Sequence, residues 1–256
     1  PYDEAGYMDL APEDRGENIR REICLTLEQM GIRPESSHHE EGPGQNEIDF
    51  RYSDPLTAAD NTMTFQTIVK TVTRRNGVFV DFSPKPLENE PGNGFHINMS
   101  VKPSDSSENL CYMIAGVLDK VVEMTAFLNP TEDSYKRFGM DKAPGYVSWS
   151  SENRSQLVRV PAAVGEYRRA ELRSPDPMAN PYLAFTLIIY AALNGLENKL
   201  DLPEAANINL YKADAETLAK FKRLPSSLSD ACKAAATSDF IKEHIPAAIL
   251  DIYCNK

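Results

Sequence analysis

The sequence predicts an α+β protein in which helices back a curved antiparallel sheet. Several long segments repeat apolar residues every three to four positions, as the buried stripe of a helix does. Short segments between them alternate apolar and polar residues, which is typical of strands with one buried face. Because the 256 residues contain no internal repeat and no Gly/Ser-rich linker, we expect one domain over residues 1–256.

Apolar periodicity and end signals together locate the helices. The first carries Ile19, Ile23, Leu27 and Met30 on one stripe and stops at Gly31, a residue type that commonly ends helices. The long predicted helices are 14–30, 57–75, 109–128 and 181–196, and shorter ones follow Asp214, Ser227 and Ser238.

Strand alternation predicts the sheet and sorts its polar side chains by face, because neighbouring side chains on a strand point to opposite sides. The alternating segments are 45–52, 78–83, 95–101, 146–149, 157–161 and 167–172. In three of them the polar face carries mixed functional groups. They are Gln45, Glu47, Asp49 and Arg51 in the first, His96, Asn98 and Ser100 in another, and Arg169, Glu171 and Arg173 in the last. The alternative interpretation is a solvent-facing sheet surface without a specific role.

The residue types on these faces favour a divalent cation beside a phosphate or carboxylate. Carboxylates with an imidazole suit Mg²⁺ or Mn²⁺ better than zinc, and arginine forks bind phosphate and carboxylate oxygens in pairs. The segment His38-His39-Glu40 is interpreted as a further ligand-rich turn. The composition of the site predicts phosphoryl transfer from a nucleotide. The sequence contains neither a G-x-x-x-x-G-K-[ST] loop nor a kinase signature set.

Bulk composition narrows the partners and the compartment. The formal net charge of −11 argues against non-specific nucleic-acid binding. No apolar run approaches the roughly 20 residues of a membrane span. The given sequence shows no signal-peptide pattern, and Cys24, Cys111, Cys232 and Cys254 are scattered, so we expect reduced thiols and a cytoplasmic location.

Taken in order, several motifs resemble bacterial-type glutamine synthetases along nearly the whole chain. They are GYMDLAP (6–12), MGIRPESSHHEEGPGQNEIDFRYSDPLTAADN (30–61), PKP (84–86), GNGFH (92–96), SYKR (134–137), NRSQLVRVP (153–161) and RRAELRSPDPMANPYLAF (168–185). The resemblance implies half of a catalytic barrel of the kind found in glutamine synthetases and guanido kinases. It also implies ATP-dependent ligation of ammonia to the side-chain carboxylate of L-glutamate through a γ-glutamyl phosphate.

Site residues follow from the same resemblance, position by position. Two Mg²⁺ or Mn²⁺ sites are implied, with Glu40 and Glu47 matching ligands of one and His96 and Glu171 matching ligands of the other. The remaining matches are Glu35, Ser100 and Tyr7 as nucleotide and entry-segment contacts, Arg154, Arg159 and Arg169 around the transferring phosphoryl group, and Gly92, Arg137 and Arg173 at the amino-acid substrate. Arg137 is counted with the catalytic arginines as well.

Departures from the family pattern lie where the acceptor and the substrate bind. Lys142 stands where the family has a flap glutamate that attracts ammonium, and Asp141 is a candidate substitute for that glutamate. Pro91 replaces a substrate-contacting Asn, and Asn98 replaces a nucleotide-contacting His. A γ-glutamyl ligase that uses another amine and a non-catalytic nucleotide-binding paralogue therefore stay open as alternatives.

Relative to the family, the chain is expected to be a catalytic domain truncated at both ends, without the small N-terminal domain and the final helix. We expect such a fragment to lack some metal ligands and to be inactive alone. The full-length parent is expected to be a homo-oligomer with a double ring. Tyr211 resembles the tyrosine that some members carry for adenylylation.

Overall fold

The computed structural model describes residues 1–102, 107–140, 142–151 and 153–254. Its helices are α1 Glu17–Gln29, α2 Pro55–Arg75, α3 Ser107–Leu128, α4 Pro181–Glu197, α5 Ala215–Leu218, α6 Leu228–Thr237, α7 Asp239–His244 and α8 Ala247–Cys254. Its strands are β1 Pro34–His39, β2 Asn46–Phe50, β3 Ile97–Met99, β4 Trp149–Ser150, β5 Val158–Arg159 and β6 Ala170–Leu172. Short 3-10 helices lie at Glu132–Lys136 and Gly165–Tyr167. The α+β class predicted from the sequence is confirmed.

The predicted long helices all form, and their ends follow the capping residues. Asp54 accepts a hydrogen bond from the Thr57 amide at the start of α2, and Asn180 does the same for the first turn of α4. Both helices have proline in their first turn, where the missing N–H costs nothing. The last helix, α8, was not predicted, because its short run has no clear polar face.

The sheet differs from the single curved antiparallel sheet expected. β1 and β2 form an antiparallel hairpin, while β3, β6, β5 and β4 form a second sheet in that order. In the second sheet β4 and β5 run parallel and the other pairs run antiparallel.

Two local predictions were wrong. Residues 78–83 do not form a strand, although their alternation is real, because Val80 and Phe82 pack on a core without pairing to a neighbour. Residues 34–39 form β1 rather than the ligand-rich turn, since pairing with β2 stabilises this polar segment. Alternation of apolar and polar residues indicates that one face of a segment is buried. A segment of this kind is a strand only if its backbone also pairs with a neighbouring strand.

Backbone contacts divide the chain into two compact units. The first unit comprises residues 1–82 and 86–91. In it, α1 and α2 pack together, and α1 also packs on the β1–β2 hairpin. Ile23, Leu27, Ile68 and Val72 form the centre of its core.

The second unit comprises residues 83–85 and 92–256 and contains the larger core. Helices α3 and α4 cross closely at its centre. A Cβ atom on Gly116 would lie 2.1 Å from the Ala191 carbonyl oxygen, and one on Gly195 would lie 2.1 Å from the Tyr112 carbonyl oxygen. Both positions therefore require glycine for the helices to touch. Among the described residues, no helix has the length and apolar character needed to cross a membrane.

Candidate functional site

The β1–β2 hairpin brings together three possible cation ligands. His38 pairs with Glu47 across the hairpin, and Glu40 follows directly after β1. One ligand atom from each of His38, Glu40 and Glu47 lies within 4.8 Å of the others. The structure thus joins the predicted pair Glu40 and Glu47 and adds His38, which sequence reasoning placed in a turn.

The hydrogen bonds of His38 leave one ring nitrogen facing the acidic groups. Nδ1 lies 3.0 Å from the His39 carbonyl oxygen, which only accepts, so Nδ1 carries the proton. Nε2 lies 3.7 Å from Glu47 Oε1. In the neutral ring this nitrogen has a free lone pair, which is the form that binds metals. The edge of the His38 ring also contacts Tyr7, with 5.5 Å between the ring centroids.

Acidic groups crowd around Glu47. Burial, followed by the nearby charges of Asp49 and Glu40, raises the pKa of Glu47 to about 8. Carboxylates that repel one another in this way are stabilised by a divalent cation between them. The donor set of two carboxylates and one imidazole fits Mg²⁺ or Mn²⁺.

A second group of charged side chains lies on the four-stranded sheet. Glu171 on β6 pairs with Asn98 on β3 and with Arg159 on β5. Its carboxylate accepts hydrogen bonds from Arg159 Nη1 at 2.8 Å and from Arg173 Nη1 at 2.6 Å. His96 Nδ1 lies 3.3 Å from the same carboxylate. The predicted ligands His96 and Glu171 therefore lie side by side, next to two of the predicted arginines.

The charge around His96 keeps its ring neutral. Burial, then the positive charges of Arg173 and Arg137, hold the pKa of His96 well below its usual range. A neutral imidazole is the form that coordinates a cation, and it does not add to the positive charge of the arginines.

Arg137 lies beneath the glycine loop that precedes His96. It is 3% exposed, donates to the Ser174 carbonyl oxygen at 3.2 Å and lies 3.9 Å from Asp176. Burial lowers the pKa of Arg137 to about 10. A Cβ atom on Gly92 would lie 2.7 Å from Arg137 Cγ, so only glycine lets the loop approach the arginine this closely.

Arg137 and Arg173 retain unused hydrogen-bonding capacity. The Nε atom of each is buried and has no hydrogen-bond partner among the described residues. Buried donors of this kind mark a site that a bound anion can complete.

Two of the other predicted arginines, Arg154 and Arg169, lie near this group. Arg169 donates to Asn98 at 3.1 Å and to the Tyr167 carbonyl oxygen at 3.2 Å. Arg154 is close enough to lower the pKa of His96 further. Ser100, just past β3, is exposed. In the first unit, Glu35 is exposed on β1.

Lys142 lies in the loop that departs from the family pattern. Its backbone has a φ of 65°, which is uncommon for a residue other than glycine. Its carbonyl oxygen accepts a 3.4 Å hydrogen bond from Arg173, so the loop contacts the predicted substrate arginine. Asp141, the candidate substitute for the flap glutamate, lies outside the described residues.

Tyr211 does not match an accessible modification site. It lines a cavity of about 250 Å³ together with Tyr135 and Gly139, and its hydroxyl oxygen is buried. In this conformation the hydroxyl is not open to an adenylylating enzyme.

Known proteins match this sequence along almost its whole length. The sequence profile described as "Glutamine synthetase, catalytic domain" matches residues 1–256. The chain is 41% identical to a glutamine synthetase of Methanosarcina mazei over 266 residues and 43% identical to one of Staphylococcus aureus over 268 residues. These alignments cover 98% and 99% of this chain.

Solved structures give the same result for the fold. A GmaS/ADP complex superposes with a TM-score of 0.89 at 29% identity, covering 100% of this chain and 63% of that one. A glutamine synthetase of Plasmodium falciparum superposes with a TM-score of 0.85 at 23% identity, covering 99% of this chain and 60% of that one, and at that identity it supports the fold alone.

The chain belongs to the glutamine synthetase family, and its residues correspond to the catalytic domain of that family. It spans 60% of the length of the curated relatives that it matches.

Proposed function

We propose that this chain is the catalytic part of an ATP-dependent ligase that joins ammonia to the side-chain carboxylate of L-glutamate. ATP phosphorylates the carboxylate, and ammonia then displaces phosphate from γ-glutamyl phosphate to form glutamine. The observation that carries the proposal is the joint presence of a cation-type donor set on the hairpin and the arginine group around Glu171. Relatives named glutamine synthetase support the choice of substrates.

In this proposal the arginines neutralise the charge that gathers during phosphoryl transfer. Arg154, Arg159 and Arg169 contact the phosphoryl group, while Arg137 and Arg173 hold the carboxylate groups of glutamate. The unpaired Nε atoms of Arg137 and Arg173 are the donors with which an amino-acid substrate would complete its contacts. Glu35 and Ser100 would contact the nucleotide, and GmaS, a structural neighbour, has been seen with ADP.

Two cation sites are part of the proposal. Glu40 and Glu47, with His38, would hold one Mg²⁺ or Mn²⁺, and His96 with Glu171 would contribute to the other. When bound, such cations lower the negative charge on phosphate and carboxylate oxygens. The Nε2 atoms of His38 and His96 and the carboxylate oxygens would be the ligand atoms. The full-length protein is proposed to assemble into a homo-oligomer with a double ring and to act in the cytoplasm.

The direct test measures ATP turnover by the full-length protein that contains this chain. We expect phosphate release that needs glutamate, Mg²⁺ and an amine, and a strong decrease in Glu47→Gln. Glu41→Gln, which changes the exposed acid next to Glu40 and leaves the three donors in place, is the matched control. ATP binding without turnover for any amine would contradict the ligase and support the non-catalytic paralogue.

The choice of amine depends on the loop of Lys142. Lys142 stands where the family pattern has a glutamate that attracts ammonium, so an amine other than ammonia is the second candidate acceptor. We predict that Lys142→Glu lowers the KM for ammonium by increasing its local concentration, while the KM for ATP stays unchanged. The KM for ammonium and for each amine of a panel is measured in the wild type and in Lys142→Glu. If none of these KM values changes, this loop does not contact the acceptor.

A further inference from the structure

Asp3 lies before α1, outside every helix and strand, yet it is buried against the hairpin. Its Oδ1 atom lies 2.8 Å from His39 Nε2 and accepts from the Gly44 amide at 3.0 Å. Its Oδ2 atom accepts from the Arg15 amide at 3.0 Å. The side chains of Asp3 and His39 are 2% and 0% exposed, so water does not compete for these bonds.

The ring of His39 is bonded at both nitrogens. Nε2 faces the Asp3 carboxylate, and Nδ1 lies 2.7 Å from the Glu40 carbonyl oxygen. The two ring nitrogens therefore tie the ring to Asp3 on one side and to the backbone of Glu40 on the other. A side chain that reaches only one of these two oxygens would leave the other contact unmade.

These bonds fix the backbone at two points of the turn that lies between Glu40 and Glu47. His39 holds the backbone of Glu40, and Asp3 holds the amide of Gly44 in the turn 41–45. The Glu40 amide closes this turn by donating to the Gln45 carbonyl oxygen at 2.8 Å. Gly44 has a φ of 65°, and a Cβ atom there would lie 3.1 Å from the Tyr2 amide nitrogen, so the turn and the N-terminal segment touch closely.

We propose that the buried Asp3–His39 pair is the positioning device of the hairpin cation site: it sets the separation between the Glu40 and Glu47 carboxylates through the backbone of the turn between them. The proposal rests on the proposed function only in taking His38, Glu40 and Glu47 as cation ligands. Asp3 and His39 themselves do not contact the cation. Partners that orient metal ligands in this way commonly contribute about 10–100-fold to metal affinity.

The experiment measures Mn²⁺ binding to the full-length protein by electron paramagnetic resonance of the free ion, without substrates. Glu47→Gln first identifies which Mn²⁺ belongs to the hairpin. We expect Asp3→Asn to weaken that Mn²⁺ by about 10–100-fold while the other site is unchanged. Hydrogen exchange of the amides in 40–45, followed in the metal-free protein, should become faster in the same variant. His39→Gln, which can make only one of the two bonds at a time, serves if Asp3→Asn does not fold.

The control separates positioning from a general loss of stability. Val72→Ala removes a buried core side chain of the same unit that takes no part in the hydrogen bonds of Asp3 and His39, so it should lower stability and leave Mn²⁺ affinity unchanged. Wild-type affinity in Asp3→Asn, equal weakening in Val72→Ala, or absence of hairpin Mn²⁺ in the wild type would each overturn the proposal. A protein that binds Mn²⁺ as expected but does not ligate glutamate would retain the positioning role and contradict the proposed function.

Discussion

Glu47 and Glu171 are both glutamates in charged surroundings, but the neighbouring charges have opposite signs. Glu47 faces the carboxylates of Asp49 and Glu40, whereas Glu171 is bonded to the guanidinium groups of Arg159 and Arg173. Glu47 therefore needs a proton or a cation for its charge to be tolerated, while Glu171 is already neutralised. The same residue type therefore has a different response to mutation at the two positions.

The raised pKa of Glu47 predicts a stability that decreases as pH rises. The folded protein keeps a proton on Glu47 up to a pKa of about 8, whereas the unfolded chain loses it near the ordinary pKa of 4.5. The folded state binds more protons between these values, so the metal-free protein loses stability from about pH 5 to pH 8. Glu47→Gln should remove this contribution. Urea unfolding at several pH values measures it, and Mn²⁺ should restore the stability of the wild type at pH 8.

Removing the charge of Glu171 leaves two arginines near each other without their shared partner. Arg173 is 3% exposed, so water cannot replace the lost carboxylate. We predict that Glu171→Gln destabilises the metal-free protein by about 3–5 kcal/mol, the usual cost of removing one partner of a buried ion pair. Urea unfolding tests this, with the exposed Glu132→Gln as control. An equal effect of both changes would show that the pairs around Glu171 contribute little.

Short strands position most of the site, and they are the elements that sequence patterns identify least well. β3, β5 and β6 contain two or three residues each, so a predicted segment of five to seven residues reports the right face with the wrong ends. β1 has the sequence PESSHH, whose low strand propensity hides it, and its pairing with β2 is a tertiary effect. Long helices such as α3 were predictable because their period is repeated over many turns.

The crossing of α3 and α4 gives a prediction for these elements. Gly116→Ala raises helix propensity by roughly 1 kcal/mol but places a methyl group 2.1 Å from a backbone oxygen of the other helix. Because backbone cannot move aside as a side chain does, we expect a net loss of about 1–3 kcal/mol or more. Chemical unfolding measures it, and the exposed Glu197→Ala on α4 is the control. A stabilised Gly116→Ala would contradict the close crossing.

For the whole molecule, the sequence predicted which charged side chains lie close together better than how they are held. Strand parity placed Glu171, Arg169 and Arg173 on one face, and the structure brings His96 and Arg159 to the same carboxylate. The buried pairing of Asp3 with His39 spans 36 positions and has no periodic signature, so only the folded chain reveals it. His38 was predicted to lie in a turn because its own strand, β1, was not identified from the sequence.

In the proposed reaction, glutamate is activated by transfer of phosphate from ATP to its side chain. Glutamate labelled with ¹⁸O in the γ-carboxylate tests it most directly, in the full-length protein with ATP, Mg²⁺ and an amine acceptor. When the amine displaces phosphate, the bond between the carbonyl carbon and the labelled oxygen breaks, and that oxygen leaves with phosphorus. If γ-glutamyl phosphate is formed, each inorganic phosphate released contains one ¹⁸O from glutamate. Phosphate released without label while ATP is consumed would contradict it.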